Sequence, residues 1–239
     1  MVAGLFDSVV FLFSFLPIVL FLYYLMPEQL KNILLLLASL VFYAWGEPVA
    51  IFLLLGMLLF NYAWGLHLAG VLKNRRRARS GMIFCVAINL GLLCFFLYGR
   101  TVLGWIEALL PVKLPFQGFA LPMGMSLCTL QMLSYIIDVY RGNVKAQKNP
   151  ADLALYVLMF SKMPGGPIVR YIEMEKQLRA RQISSGKVGE GAMYFIRGLS
   201  KKVLFADNIG LLYDEVMALE TSQMSVLSAW LGCIAFALK

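Results

Sequence analysis

Polar side chains inside otherwise apolar sequence are the first candidates for chemistry. Gln131, Ser134 and Asp138 follow one another at spacings of three and four residues, so a helix would carry all three on one face. Arg141 stands three residues after Asp138, which places the two charges close enough to pair. Polar groups are costly within a membrane, where they serve function or join helices. We interpret these four residues as the lining of a substrate path or as braces between helices.

A second candidate is a helix-breaking sequence followed by an arginine. The residues concerned are Pro164, Gly165, Gly166 and Pro167, with Arg170 and Tyr171 shortly after. Non-helical backbone at membrane depth is tolerated only where protein or a water-filled cavity covers it. The arginine could bind a phosphate or carboxylate through two parallel hydrogen bonds, or anchor a lipid head group. The segment 164–167 is thus the predicted wall of a functional cavity, with an ordinary surface turn as the alternative.

Other reactive residue types form no recognisable catalytic or metal-binding pattern. His67 is the only histidine, and no acid, serine or cysteine accompanies it at a catalytic spacing. The cysteines show no C-x-x-C spacing, which argues against a zinc site; they are Cys85, Cys94, Cys128 and Cys233. The sequence also lacks the short motifs of serine hydrolases, zinc proteases and nucleotide-binding proteins. We therefore predict no metal site.

The composition excludes a soluble domain as the setting for these residues. The chain has 239 residues, of which 61% are hydrophobic and 14% charged, and its mean hydropathy is +0.78. A soluble domain is about half apolar and about a quarter charged. The formal net charge is +8, but the positive residues form short clusters between apolar runs, a pattern typical of loops beside anionic lipid head groups. No nucleic-acid partner is predicted.

Charge-poor runs predict six membrane crossings, each of which needs about 20 apolar residues. The predicted crossings are 8–26, 32–46, 48–72, 80–99, 120–140 and 221–238. The apolar part of 152–170 is too short to cross, so this segment is predicted to be a re-entrant hairpin. The segment 188–220 is amphipathic and predicts interfacial helices. The sequence thus predicts an all-α polytopic membrane protein with a single membrane domain, 1–239.

Positive charges predict the orientation of these crossings. The segment 73–79 contains five lysines and arginines, and short loops rich in these residues face the cytoplasm. Counting crossings from this loop places the N-terminus outside, and it places the re-entrant segment with Arg170 on the cytoplasmic side. From the residues alone, a transporter, a channel component and a membrane enzyme all remain open.

Three stretches narrow this choice. They are 121–126 (Leu-Pro-Met-Gly-Met-Ser), 134–142 (Ser-Tyr-Ile-Ile-Asp-Val-Tyr-Arg-Gly) and 166–171 (Gly-Pro-Ile-Val-Arg-Tyr). In this order and spacing the chain resembles the membrane-bound O-acyltransferase family, and within it the bacterial branch that O-acetylates alginate. The resemblance covers essentially the whole chain, and the combination is more specific than any single stretch.

The resemblance implies a function and a set of partners. It implies O-acetylation of an exported, alginate-like polysaccharide, with acetyl moving across the bacterial inner membrane from a cytoplasmic donor. No bound cofactor is implied, since acetyl-CoA or another acyl thioester would be the donor substrate. The implied partners are the lipid bilayer and periplasmic proteins of polysaccharide acetylation. The segment 164–167, Arg170 and Tyr171 would lie on the donor side, where a phosphate-bearing carrier would approach.

The resemblance also implies what this chain does not contain. The family's catalytic histidine lies in a helix downstream of residue 239, and His67 does not correspond to it. We therefore expect an N-terminal half of such an enzyme, without a catalytic residue and inactive alone. Residues 160–163 are Phe-Ser-Lys-Met, where the branch tends to have Phe-Pro-Gln before Gly-Pro. The alternatives are a non-catalytic transporter or structural subunit, and D-alanyl transfer to a cell-wall polymer within the same family.

Overall fold

The computed structural model of the chain describes residues 8–109, 121–163, 168–179, 181, 183–219 and 224–238. These residues form helices, turns and irregular segments, and no strand occurs among them. The chain divides into two units, Met1–Arg181 and Gln182–Lys239. The all-helical class predicted from the sequence is confirmed.

The first unit contains seven of the described helices. They are α1 (Leu16–Leu25), α2 (Glu28–Gly46), α3 (Ala50–Val71), α4 (Arg75–Leu109), α5 (Met125–Arg141), α6 (Pro150–Leu158) and α7 (Tyr171–Arg179). A π-helical turn, Phe11–Phe15, leads directly into α1. Pro17 stands at the start of α1, directly after the π-helical turn, where it supplies no N–H to the continuous helical ladder.

Three helices are long and apolar enough to cross a membrane: Glu28–Gly46, Ala50–Val71 and Arg75–Trp105. They coincide with the second, third and fourth predicted crossings, and they identify an all-helical membrane protein. The first and last predicted crossings correspond to shorter apolar helices, Phe11–Leu25 and Val226–Leu238. The fifth corresponds to α5, which has 17 residues. The total of six crossings therefore stays a prediction.

Most of the basic cluster at 73–79 lies on a helix and not in a loop. α4 begins at Arg75, so the connection from α3 is confined to residues 72–74. The Asn74 side chain accepts a hydrogen bond from the Arg77 backbone N–H at 3.3 Å, in the manner of a helix N-cap. Because arginine is a good helix former, the cluster extends the apolar helix by one turn. The connection between the two helices is therefore shorter than the charge-rich segment 73–79.

Two glycines determine where α5 begins and ends. Gly124 precedes the helix with φ 67°, and Gly142 follows it with φ 76°. Both angles fall in the left-handed region, which glycine adopts without the steric penalty of a Cβ atom. The Gly142 N–H then bonds to the Val139 carbonyl oxygen at 3.1 Å and satisfies part of the last turn. α5 therefore starts five residues later than the crossing predicted at 120–140.

The main hydrophobic core is built around α5. Its residues Met125, Cys128, Tyr135 and Ile136 are fully buried, and the helix packs against α3, α4, α6 and α7. Gly65 on α3 makes room for Tyr135. A Cβ atom at Gly65 would lie 2.9 Å from both Cε1 and the hydroxyl oxygen of that tyrosine. This close approach determines the spacing between α3 and α5.

A buried pair of asparagines joins α3 to α4. Asn61 Nδ2 donates to Asn89 Oδ1 at 2.9 Å, and Asn89 Nδ2 donates to Asn61 Oδ1 at 3.0 Å. Asn89 also donates to the Cys85 carbonyl oxygen at 2.8 Å. Both amides are buried, and interhelical hydrogen bonds of this kind hold membrane helices together where lipid supplies no partner. The pair therefore aligns two helices that flank α5.

A smaller aromatic core ties the segment after α6 to the first two helices. Phe160 belongs to a short 3₁₀ turn, Phe160–Lys162, and its ring centroid lies 5.5 Å from that of Phe15. The Phe160 backbone N–H donates to the Ser39 hydroxyl on α2 at 3.1 Å. α6 has only 9 residues, which is too few to cross a bilayer. The re-entrant hairpin at 152–170 stays a prediction.

The second unit contains three described helices. They are α8 (Ser185–Lys201), α9 (Asp207–Met217) and α10 (Val226–Leu238), and a π-helical turn, Lys202–Ala206, connects α8 to α9. α9 packs against α10, where Gly232 lies close enough to Val216 that a Cβ would be 3.0 Å from its Cγ1. The interfacial position predicted for 188–220 stays a prediction.

Candidate functional site

The central feature of the candidate site is an ion pair between Asp138 and Arg170. Arg170 Nη2 donates to Asp138 Oδ1, which joins α5 to the residue that precedes α7. The Asp138 side chain is 2% exposed, whereas that of Arg170 is 48% exposed. A buried carboxylate therefore holds one part of the guanidinium group. The arginine has five N–H donors in all, so it has donors left for a ligand at the surface.

The sequence spacing suggested Arg141 as the partner of Asp138, but in the structure Asp138 pairs with Arg170. Asn143 Nδ2 donates to the same carboxylate oxygen, Asp138 Oδ1, at 3.1 Å. Arg141 is exposed in the last turn of α5. Asp138 lies on the buried face of α5, the helix that packs against α7, whereas Arg141 lies off that face. Arg141 therefore contributes no charge to the buried part of the site.

Tyr171 anchors the segment that carries Arg170. Its side chain is fully buried, and its ring meets those of Tyr135 and Tyr156 edge-on, with centroids 5.1 and 5.2 Å away. Edge-to-face contacts of this kind stabilise aromatic cores. Gln147 Nε2 also donates to the Tyr171 hydroxyl at 2.8 Å. The residue after Arg170 is thus fixed in the core.

A hydrogen bond fixes the residue before Arg170 as well. The Tyr156 hydroxyl donates to the Val169 carbonyl oxygen at 2.8 Å. The Gln147 backbone N–H donates to the Tyr135 hydroxyl at 3.0 Å, which ties the α5–α6 connection to the same aromatic group. Since the backbone is held on both sides of Arg170, its guanidinium group is positioned before any ligand binds. Such preorganisation lowers the entropic cost of binding.

The three polar residues predicted to share one face all lie on α5. Gln131 is fully buried, Asp138 is nearly so, and Ser134 between them is partly buried. Among the described residues, the buried side-chain atoms without a hydrogen-bond partner are Nε2 and Oε1 of Gln131 and Oδ2 of Asp138. Buried polar atoms in folded proteins are nearly always paired. This face of α5 therefore carries hydrogen-bonding capacity that the described protein does not use.

Lys162 brings a second cation to the neighbourhood of Tyr156. Its Nζ donates to the Tyr156 carbonyl oxygen at 3.2 Å and lies 5.0 Å from the centroid of the Tyr156 ring. Burial lowers the pKa of the Lys162 ammonium group to about 8, because the charged form is poorly solvated there. Arg170 also interacts electrostatically with Tyr156. Two positive side chains thus belong to this part of the molecule.

The predicted cavity wall, Pro164, Gly165, Gly166 and Pro167, lies outside the described residues. Its described neighbour on the N-terminal side is Met163, whose carbonyl oxygen would lie 3.1 Å from a Cβ atom at Gly124. The glycine that precedes α5 therefore also allows the backbone at Met163 to approach closely. A larger residue at position 124 would be strained by its φ and would press on this carbonyl.

Over nearly its whole length the chain is similar to curated bacterial proteins. The chain is 37% identical over 236 residues to a Pseudomonas aeruginosa protein named "Probable alginate O-acetylase AlgI", covering 97% of this chain and 45% of that protein. A protein of the same name from Azotobacter vinelandii is 35% identical and is covered over 47% of its length. The chain is a homologue of the alginate O-acetylases. It spans about half the length of the curated relatives that it matches.

A more distant relative carries a different name. The "Peptidoglycan O-acetyltransferase" of Helicobacter pylori is 29% identical over 267 residues, which cover 98% of this chain and 50% of that protein. No family model matches the chain, and no solved structure matches it. The curated relatives nevertheless confirm the resemblance to alginate O-acetylases recognised in the sequence, because their names specify O-acetyl transfer.

The structure also shows residues that the sequence analysis had missed. Asn89 was not predicted, although it is a polar residue inside the predicted crossing 80–99. Gln147 gave no such signal, because its role depends on the buried Tyr171 hydroxyl. His67 lies beside Trp64, with ring centroids 5.6 Å apart. Within the described ranges, no three His, Cys, Asp or Glu side chains cluster in a way that could hold a metal ion.

Proposed function

We propose that this chain forms the donor-binding part of a membrane O-acetyltransferase that acetylates an exported, alginate-like polysaccharide. The activity is proposed from its homologues, the alginate O-acetylases, of whose length the chain spans about half. The observation that carries the proposal is the Arg170 guanidinium group, half-exposed and held by the buried Asp138. This arginine belongs to the stretch 166–171 on which the family resemblance rests.

The proposed role of Arg170 is to hold the anionic part of an acyl thioester donor. Guanidinium groups match phosphate oxygens through paired, charge-assisted hydrogen bonds. The donor is proposed to be acetyl-CoA or another acyl thioester, bound from the cytoplasm. In the reaction an acceptor hydroxyl attacks the thioester carbonyl carbon, the new ester forms, and the thiol leaves with the hydroxyl proton. The base for this step is the family's downstream histidine, as the resemblance implies.

The proposed setting is the bacterial inner membrane, with the N-terminus outside. The support for this orientation is the basic cluster at 73–79, five of whose seven residues are positively charged. The segment 152–170 is proposed to re-enter from the cytoplasmic side and the helices in 188–220 to lie at the interface. Periplasmic proteins of polysaccharide acetylation are proposed to receive the acetyl group. The bilayer is the remaining partner.

Replacement of Arg170 tests this proposal. In cells carrying Arg170→Ala in the full-length protein, the acetyl content of the exported polymer is expected to fall about tenfold or more, because a charge-assisted contact to the donor is lost. Lys176→Ala is the matched control, since Lys176 is an exposed basic residue on α7, the helix that begins directly after Arg170. It is expected to leave acetylation unchanged. Normal acetylation in the Arg170→Ala strain, at normal protein abundance, would contradict the proposal.

The Helicobacter relative favours one second candidate, O-acetylation of peptidoglycan. Deletion of the gene separates the two, when ester-linked acetate is measured both on the exported polysaccharide and on isolated cell wall. Loss from the polysaccharide supports the first candidate, and loss from the cell wall supports the second. Unchanged acetate on both polymers would exclude both candidates and favour a transporter or structural subunit.

A further inference from the structure

The unpaired atoms on α5 lie on a single helix face. Gln131 has neither an acceptor for its amide N–H groups nor a donor for its carbonyl oxygen, and it is fully buried. Seven residues later, Asp138 Oδ2 also has no partner, while Oδ1 binds Arg170. Seven residues are close to two helical turns, so the two side chains lie above one another. The unused polar atoms thus share one face of α5 with the carboxylate that holds Arg170.

A buried carboxamide without partners is unfavourable, because it has left water without gaining a protein hydrogen bond. Elsewhere in the described core, polar side chains are well paired. Asn61 and Asn89 form two reciprocal hydrogen bonds in the same bundle. The sequence therefore satisfies buried amides where they only join helices. The exception at Gln131 indicates a partner that is not part of the described protein.

The chemistry of Gln131 restricts what this partner can be. A carboxamide offers both N–H donors and a carbonyl acceptor, and a secondary amide in a ligand offers the complementary pair. The α5 rise of about 1.5 Å per residue places Gln131 about 10 Å from Asp138 along the helix. Biological acyl thioesters are carried on phosphopantetheine, an arm with a phosphate at one end and two amides along its length. Standard bond lengths place these amides roughly 7 and 12 Å from the phosphorus.

We propose that Gln131 binds an amide group of the donor's phosphopantetheine arm while Arg170 holds the arm's phosphate. This inference rests on the proposed function, and it deepens it by naming the part of the donor that enters the helix bundle. Gln131 is then a specificity-determining residue, because a thioester without amides would leave its carboxamide unpaired. Asp138 is the positioning residue that directs Arg170 towards the phosphate.

The test measures ligand binding and stability on the purified full-length protein in detergent or nanodiscs. The probes are 4′-phosphopantetheine and pantetheine, which lacks the phosphate, and the variants are Gln131→Met and Arg170→Ala. Gln131→Met is expected to weaken binding of both probes roughly tenfold, since both contain the amides. Arg170→Ala is expected to weaken binding of 4′-phosphopantetheine and to leave the weaker binding of pantetheine unchanged.

Stability without ligand distinguishes this role from a structural one. Methionine has nearly the shape of glutamine and no amide, so Gln131→Met is expected to melt at the same or a higher temperature than the wild type when no ligand is present. Gln177→Met, at an exposed position on α7, is the matched control and should change neither property. A lower melting temperature for ligand-free Gln131→Met would reveal a structural partner for the amide and overturn the inference.

The remaining outcomes separate the inference from the proposed function. Binding of 4′-phosphopantetheine to Gln131→Met with wild-type affinity would overturn the inference and leave donor binding at Arg170 intact. Failure of the wild-type chain to bind 4′-phosphopantetheine would overturn the proposed donor site itself. Coenzyme A and a holo acyl carrier protein supply the same arm, and titration of each shows which source this chain prefers.

Discussion

At the scale of single residues, burial determines how the charged groups of the site behave. Asp138 is buried and Arg170 is half-exposed. The carboxylate therefore contacts other protein groups, whereas the guanidinium group is accessible to a ligand. Lys162 differs from both, because its hydrogen bond goes to a backbone carbonyl oxygen and not to a carboxylate. A lysine in such a place is stabilised in its neutral form.

The Lys162 site predicts a pH-dependent stability. The ordinary pKa of lysine is 10.5, and burial lowers that of Lys162 to about 8 in the folded chain. Between these values the unfolded chain binds more protons than the folded chain, so this residue's contribution to stability rises with pH. Below pH 8 its full cost is present. Lys162→Met should therefore melt higher than the wild type at pH 7, and this difference should shrink as the pH approaches 10.

Thermal unfolding in detergent, followed at several pH values, measures this difference. Lys148→Met is the control, because the Lys148 side chain is exposed. A Lys162→Met difference that is flat from pH 7 to pH 10 would show that the ammonium group is well solvated in the folded chain.

At the scale of helices, the spacing of α3 and α5 depends on a missing side chain. Gly65→Ala would place a methyl group 2.9 Å from the Tyr135 ring and hydroxyl, both of which are held in the core. Overpacking of this kind costs about 1–3 kcal/mol. Because Tyr135 also accepts a hydrogen bond from Gln147, the variant should lower both the melting temperature and the affinity for the donor.

The same helix supplies a matched control for this prediction. Gly56 lies inside α3, and nothing lies within 4 Å of the position where its Cβ would be. Gly56→Ala should be neutral or should stabilise the helix by up to about 1 kcal/mol. Equal melting temperatures for the two variants would show that the close contact with Tyr135 relaxes without cost.

The sequence predicted helices better than it predicted contacts between them. The crossings at 32–46, 48–72 and 80–99 were recognisable because each is a local property of composition. The partner of Asp138 was not, since Arg141 is three residues away in sequence and Arg170 is 32 residues away. The pairing of Asp138 with Arg170 depends on the packing of Tyr171 against two other buried tyrosines. No local sequence pattern predicts this packing. Lys162 was noticed as a departure from the family, but its burial came only from the structure.

At the scale of the whole molecule, the predicted orientation gives a labelling pattern. Val49 lies in the connection between α2 and α3 and is strongly exposed, whereas Arg76 belongs to the basic cluster. In a background without native cysteines, Val49→Cys should react with a membrane-impermeant maleimide in intact spheroplasts. Arg76→Cys should react only after the membrane is permeabilised. The reverse pattern would invert the predicted topology and place Arg170 on the outer side.

The unbroken length of α4 has a mechanical consequence. Its 35 residues make a rod of about 50 Å, whereas the hydrocarbon core of a bilayer is about 30 Å thick. The arginines stand on the end of this rod, so they and the span move as one rigid body. In a thinner bilayer the whole of α4 tilts, and the hydrogen bonds between Asn61 and Asn89 transmit that tilt to α3. A change in bilayer thickness thus acts on α3 and α4, which both pack against α5.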